Sequence, residues 1–177
     1  MSDAHPPKRD AREIEAITAA YERRLLRYVA RIMGNSSCAE DIVQEVFIKF
    51  AGSWRGEMYE SPQVSAWLYK TAHNETIDFI RRETRRNTLH LQHIKESEIA
   101  LDSTDNQDRY LSDTTERVSE ALSKLNDRDR NLVILKVYEN RSYKEISDIT
   151  GLSVSNVGFI LHRAMRKLAE HLKGNQG

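Results

Sequence analysis

The stretch Ser142–Ala164, SYKEISDITGLSVSNVGFILHRA, decides how the rest of the chain is read. Ser142 and Glu145 form S-x-x-E, a capping box that starts a helix by satisfying free backbone N–H groups. Ile146 and Ile149 give that helix an apolar edge. Gly151 breaks it where the backbone needs a positive φ, which costs glycine little. Ser153 is placed to cap a second helix, along which Val157, Ile160, Leu161 and Ala164 recur at helical spacing. The small Ser147, four residues before Gly151, lets two helices cross closely. That set of positions is the pattern of a helix-turn-helix. The competing reading is an ordinary helical hairpin in a core.

Working outward, 177 residues allow one domain or two small ones. Formal net charge is zero, but the balance is local. Arg81, Arg82, Arg85 and Arg86 cluster in one place, and Arg163, Arg166, Lys167 and Lys173 in another. Between them stand Glu96, Glu98, Asp102, Asp105, Asp108, Asp113 and Glu116. Such segregation is more informative than the sum. The single cysteine, Cys38, excludes an intrachain disulfide and a multi-cysteine zinc site. No apolar run is long enough to span a bilayer and no signal-peptide pattern opens the chain, so a soluble cytoplasmic protein is expected. Three prolines, seven glycines and almost no β-branched alternation point to an all-α protein.

Residues 1–10 are polar and read as a flexible tail. From Ala11 to Met33, the residues Ile14, Ile17, Tyr21, Leu25, Tyr28, Val29 and Ile32 share one helical face. Ser37–Glu40 is a second capping box, opening a helix to about Ser53 with Ile42, Val43, Val46, Phe47 and Phe50 as its buried stripe. Its other face, Asp41, Gln44, Glu45 and Lys49, is polar. Ser61-Pro62 begins a third helix, expected to end at Arg86, with Trp67, Leu68, Thr71, Ala72, Ile77 and Ile80 inward. Three such helices close a small bundle, a first domain over 11–86. Residues 87–113 are polar, increasingly acidic and read as a linker, with a short helix over Leu89–Ile99 as the alternative. Fully extended, that linker spans roughly 90 Å at about 3.3 Å per residue. A second domain runs over 114–173. There Val118, Ala121, Leu122 and Leu125 form one helix, and Asn126 caps the next, whose buried side is Leu132, Val133, Leu135 and Val137.

Arginines at the end of the third helix suit phosphates, because they release counterions. Trp54, Tyr59, Trp67, Tyr69 and Phe79 lie nearby, and bases of a separated strand stack on rings at roughly 1–3 kcal/mol each. Trp67 and Phe79 are equally readable as core, whereas Trp54 and Tyr59 sit in a loop and are expected to be exposed. Asn74, Asp78 and Arg81 share a helical face. In the helix-turn-helix, Ser153, Ser155 and Asn156 would meet base edges or phosphates, and Gly158, Phe159, His162 and Arg163 would follow the groove. Phe159 is placed either against a thymine methyl or in the core. No Gly-rich phosphate loop and no nucleophile or zinc motif is present, so no enzyme, cofactor or metal is expected. His90 and His93, three apart without further ligands, read as surface residues.

Together the blocks AEDIVQEVFIKF (39–50), WRG (54–56), SAWLYKTAHNETIDFIRRETRR (65–86), LNDRDRNLVILKVYENRSYKEIS (125–147) and SNVGFILHRAMRKL (155–168) resemble the bacterial extracytoplasmic-function sigma factors, promoter-specificity subunits of RNA polymerase. The resemblance covers about 11–172 in order. It implies that Asp41, Gln44, Glu45, Phe47 and Lys49 dock on the β′ clamp helices of core polymerase. It implies that Trp54, Tyr59, Trp67, Asn74, Asp78, Arg81, Arg82 and Arg85 recognise and melt the minus-ten element. The C-terminal module, by the same resemblance, meets the β flap. Its residues Ser153, Ser155, Asn156, Phe159, His162 and Arg163 read the minus-thirty-five element as duplex, roughly 70 Å away at two helical turns. An anti-sigma factor is the implied regulator. Two departures stand out. Asn156, Gly158, Phe159 and Ile160 replace the threonine and basic or hydroxyl residues usual on the recognition helix, and the loop after Trp54 is longer than usual. The alternative is a conventional helix-turn-helix regulator with residues 11–86 as a sensing or dimerising domain. A helical adaptor that titrates an inhibitor is a third reading.

Overall fold

The computed structural model describes residues 11–33, 38–55, 59–94 and 113–174. The expected tail over 1–10, the Ser37 side of the second capping box and most of the expected linker lie outside them.

Three helices make the first module: α1 (Ala11–Met33), α2 (Ala39–Ser53) and α3 (Pro62–Ile94). The predicted stripe of α1 is buried from Ile17 to Ile32, and Ile42, Val43, Val46 and Phe50 of α2 face it. Val64, Leu68, Tyr69 and Ala72 of α3 close the core. Each large apolar side chain taken out of water there contributes about 1.5–3 kcal/mol. Cys38 stands at the N-cap of α2 without a side-chain capping bond. Helix α3 does not stop at Arg86 as expected but continues to Ile94, across the start of the predicted linker. The reason is local: Leu89, Leu91 and Gln92 are good helix formers, and no glycine or proline intervenes.

The second module holds α4 (Asp113–Ser123), α5 (Asp127–Val133), α6 (Tyr143–Thr150) and α7 (Val154–Gly174). Asn126 caps α5, its side chain accepting from the Asp129 backbone N–H. A π-helical turn, Ile134–Tyr138, follows α5 directly. Its wider turn keeps Ile134 and Leu135 buried but rotates Val137 outward to 53% exposure, so Val137 is not the core residue expected from a simple helix. Just past the turn, Asn140 adopts φ 51°, a left-handed conformation that asparagine tolerates better than most residues. The capping box forms as predicted: Ser142 accepts from the Glu145 N–H, and the Glu145 carboxylate accepts from the Ser142 N–H. These bonds, first that from the Ser142 backbone, hold the Glu145 carboxyl below its ordinary range. Gly151 sits at φ 73°, ending α6. The Ser147 hydroxyl donates to the Leu152 carbonyl at 2.5 Å, tying the turn shut. Val157, Ile160, Leu161 and Ala164 of α7 complete the buried face.

The two modules, expected to stand apart on a tether, are packed together. Tyr69 of α3 donates to Glu139 at 2.5 Å, and Arg31 of α1 lies 3.7 Å from the same carboxylate. Arg141 donates to Ser65 at 2.8 Å and covers the Tyr69 ring at 4.1 Å, while Arg31 covers the Tyr138 ring at 4.2 Å. Burial first, then the Glu139 carboxylate, pushes the Tyr69 hydroxyl well above its ordinary range. The π turn and the left-handed Asn140 place Glu139 and Arg141 for this clamp.

Candidate nucleic-acid interface

Along the solvent side of α3, Asn74, Asp78, Arg81, Arg82 and Arg85 are all exposed. Arg81 and Asp78 approach to 3.4 Å with both side chains well exposed, an arrangement that holds a guanidinium only loosely. A one-sided track of charge and amide groups is therefore available to a phosphate backbone and its bases. Tyr59, ahead of the start of α3, is 58% exposed and fits the expectation of an accessible ring. Trp54 does not. Instead of projecting from a loop, it follows the last turn of α2, its backbone N–H bonded to the Phe50 carbonyl. Its ring stacks on Phe50 at 5.8 Å and meets Trp67 edge-on at 6.2 Å. Both tryptophans are half-buried, so each offers an edge rather than a free face. An apolar ring next to Phe50 gains more from burial than from solvent, which is why the loop position alone misled.

On α7 the residues expected to face a duplex are at the surface. Ser155, Asn156 and His162 are exposed, and Phe159 is 68% exposed, which removes it from the core. The Ser153 hydroxyl accepts from the Asn156 N–H at 3.3 Å, so Ser153 caps the helix. The Tyr143 ring lies over Gly158, where an added Cβ would meet it at 3.5 Å. Arg163 is a correction. Its guanidinium turns inward and donates to both carboxylate oxygens of Asp129, at 2.9 and 3.1 Å. Asp129 is fully buried and this arginine is the countercharge that makes its burial tolerable. Arg163 therefore braces α7 against α5 instead of following a groove.

The polar face of α2 is open at Asp41, Gln44 and Glu45, while Phe47 is half-buried against the core. Lys49 is less free than expected: its ammonium donates to Glu75 of α3 at 2.6 Å, which raises its pKa. Ile48, 65% exposed, shares the face with Asp41, Gln44 and Glu45 and was missed. The spacing 41, 44, 45, 48 would have found it. Among the described residues no group of acidic, histidine or cysteine side chains could hold a metal ion. No described helix is long and apolar enough to cross a membrane. His90 and His93 fall within α3, but their side chains lie outside those described.

Comparison with known proteins follows the same division. Residues 17–86 match the family model Sigma-70 region 2, and residues 115–168 match Sigma-70, region 4. The RNA polymerase sigma factor YlaC of Bacillus subtilis (strain 168) is 30% identical over 164 residues, covering 90% of this chain and 91% of YlaC. The ECF RNA polymerase sigma factor SigW of the same organism is 28% identical over 170 residues, covering 89% and 87%. In fold, the chain is similar to the sigma factor RpoE in complex with the anti-sigma factor NepR from Bartonella quintana (TM-score 0.69, 21% identity, 92% and 98% covered). It is also similar to CnrH in complex with the cytosolic domain of CnrY (TM-score 0.65, 22% identity, 94% and 92% covered). Both sigma-70 regions present in order, with relatives matched along nine tenths of their length, mean that the chain belongs to the extracytoplasmic-function family of RNA polymerase sigma factors.

Proposed function

We propose that this sigma factor works by dividing its labour between two exposed faces. The face on α3, with Asn74, Asp78, Arg81, Arg82 and Arg85, takes the minus-ten strand as it separates, with Tyr59 as the accessible ring. The face on α7, with Ser155, Asn156, Phe159 and His162, reads the minus-thirty-five element as duplex, and Ser153 sets the helix start. Asp41, Gln44 and Glu45, together with Ile48, dock the α2 face on the β′ clamp helices, and the second module meets the β flap. Residues 11–86 and 114–173 are the corresponding functional units. The protein carries no reaction of its own, and it acts in the cytoplasm, where core polymerase is. An anti-sigma factor holds it in reserve, a reading supported by the structurally similar sigma factor RpoE, which was solved in complex with the anti-sigma factor NepR.

One observation carries this reading: the chain leaves two nucleic-acid-suited faces uncovered, one on each module, although their cores are otherwise closed. The test is reconstitution. Core polymerase plus this chain should initiate at a defined promoter without any other sigma factor. Arg81→Ala combined with Arg82→Ala should abolish open-complex formation while leaving polymerase binding within about twofold. Loss of polymerase binding in that variant would contradict the assignment. A chain that acts only when holoenzyme is already present would be a conventional regulator instead.

A further inference from the structure

Where α3 meets the second module a cleft of about 350 Å³ remains. From α3 it is lined by His73, Ile77, Ile80 and the exposed Arg81, and from the second module by Leu132, Thr150, Leu152 and the exposed Arg128. The lining thus combines aliphatic side chains with two exposed guanidinium groups. Asp127 also lines it, but its carboxylate is paired with Arg130 at 2.6 Å. Inside lies Asn131, 2% exposed, whose side-chain oxygen has no hydrogen-bond partner. Leaving a buried acceptor unpartnered is costly, and native folds rarely keep one without an occupant to satisfy it. Water competes for that acceptor, because His73 and Thr150 also line the cleft. The volume is within the range of small-molecule sites, which combine apolar walls with a few fixed polar groups.

We propose that this cleft binds a small organic acid: its apolar body lies between the isoleucines and leucines, an N–H donates to Asn131 Oδ1, and its carboxylate sits between Arg81 and Arg128. Because the walls come from both modules, the bound acid bridges them and favours the packed arrangement. It also withdraws Arg81 from the α3 face.

Indole-3-propionate is a suitable probe, with one aromatic body, one N–H and one carboxylate. Titrated into the full chain by calorimetry, it should bind at one saturable site. The carboxylate-bearing naphthalene analogue, which lacks the N–H, should bind at least about tenfold more weakly, as should indole without the acid, tenfold being about 1.4 kcal/mol. Asn131→Leu should erase the preference for indole over naphthalene, and Ile80→Trp should fill the cleft and abolish binding. The analogue series needs no variant, so a misfolded mutant leaves the test intact. Absence of saturable binding at millimolar probe, or equal binding of all three compounds by the wild type, would overturn the proposal and leave the cleft to water. The readout is binding alone, so its failure is separate from any failure of the transcription assay.

Discussion

Arg163 offers the sharpest contrast between two uses of one side chain. If it faced DNA, removing it would weaken duplex binding and spare the fold. In the structure it neutralises Asp129, which is 0% exposed, while 40% of its own side chain remains in contact with solvent. Breaking a fully buried ion pair by deleting one partner costs about 3–5 kcal/mol, because a charge is left without compensation. Solvent reaching the arginine side lowers that figure, so Arg163→Met should cost about 2–3 kcal/mol. With a urea slope of about 1–3 kcal/mol/M, the midpoint should fall by about 0.7–3 M. The charge-free pair Asp129→Asn with Arg163→Met should recover most of the loss, giving a coupling of about 2 kcal/mol in a double-mutant cycle. The assay is equilibrium urea unfolding of the four proteins by circular dichroism, beside minus-thirty-five duplex binding at fixed salt. Arg163→Met within about 0.5 kcal/mol of wild type, with duplex affinity down at least tenfold, would refute the bracing role.

The clamp between the modules should loosen in Glu139→Ala, which removes the acceptor of Tyr69 and the partner of Arg31. A charged hydrogen bond is worth about 1.5–3 kcal/mol, so the open population should rise about 10- to 100-fold, seen as a larger maximum dimension in X-ray scattering; an unchanged scattering profile would count against the clamp. Burial first, and the Arg81 charge second, lower the His73 pKa from 6.5 to about 4. The unfolded chain therefore binds a proton that the folded one refuses between those values, and stability should fall by up to about 3 kcal/mol as pH drops from 6.5 to 4. His73→Gln should flatten that part of a stability–pH curve. Gly151→Ala meets no neighbouring atom, so its cost is the backbone strain at φ 73° alone, about 1–2 kcal/mol in chemical unfolding.

What could be read from the chain was local. The capping box at Ser142, the break at Gly151 and the cap at Ser153 each depend on side chains within a few residues, and all three formed. The inward stripe of α1 was legible because period 3.6 leaves one face. Val137 was misplaced because a π turn is a hydrogen-bond shift forced by packing, invisible to a regular period. The end of α3 was set too early because the polar residues beyond Arg86 were read as a linker, although good helix formers continue there with no glycine or proline between. Tyr69 to Glu139 and Asp129 to Arg163 link residues 70 and 34 positions apart, and no sequence spacing announces such partners. The candidate DNA faces were partly legible for the opposite reason. Phe159 is an apolar residue off the buried stripe, at a position that α7 does not need for its core.

Phe50, Trp54 and Trp67 form one aromatic nest, and the chain has only two tryptophans. Indole emission is thus a private signal of the first module, while the second is dark at that wavelength. Fluorescence would follow the first half alone and far-ultraviolet dichroism both halves together, so any lag between the two curves on one sample would measure how firmly one half leans on the other, without labels or engineered probes.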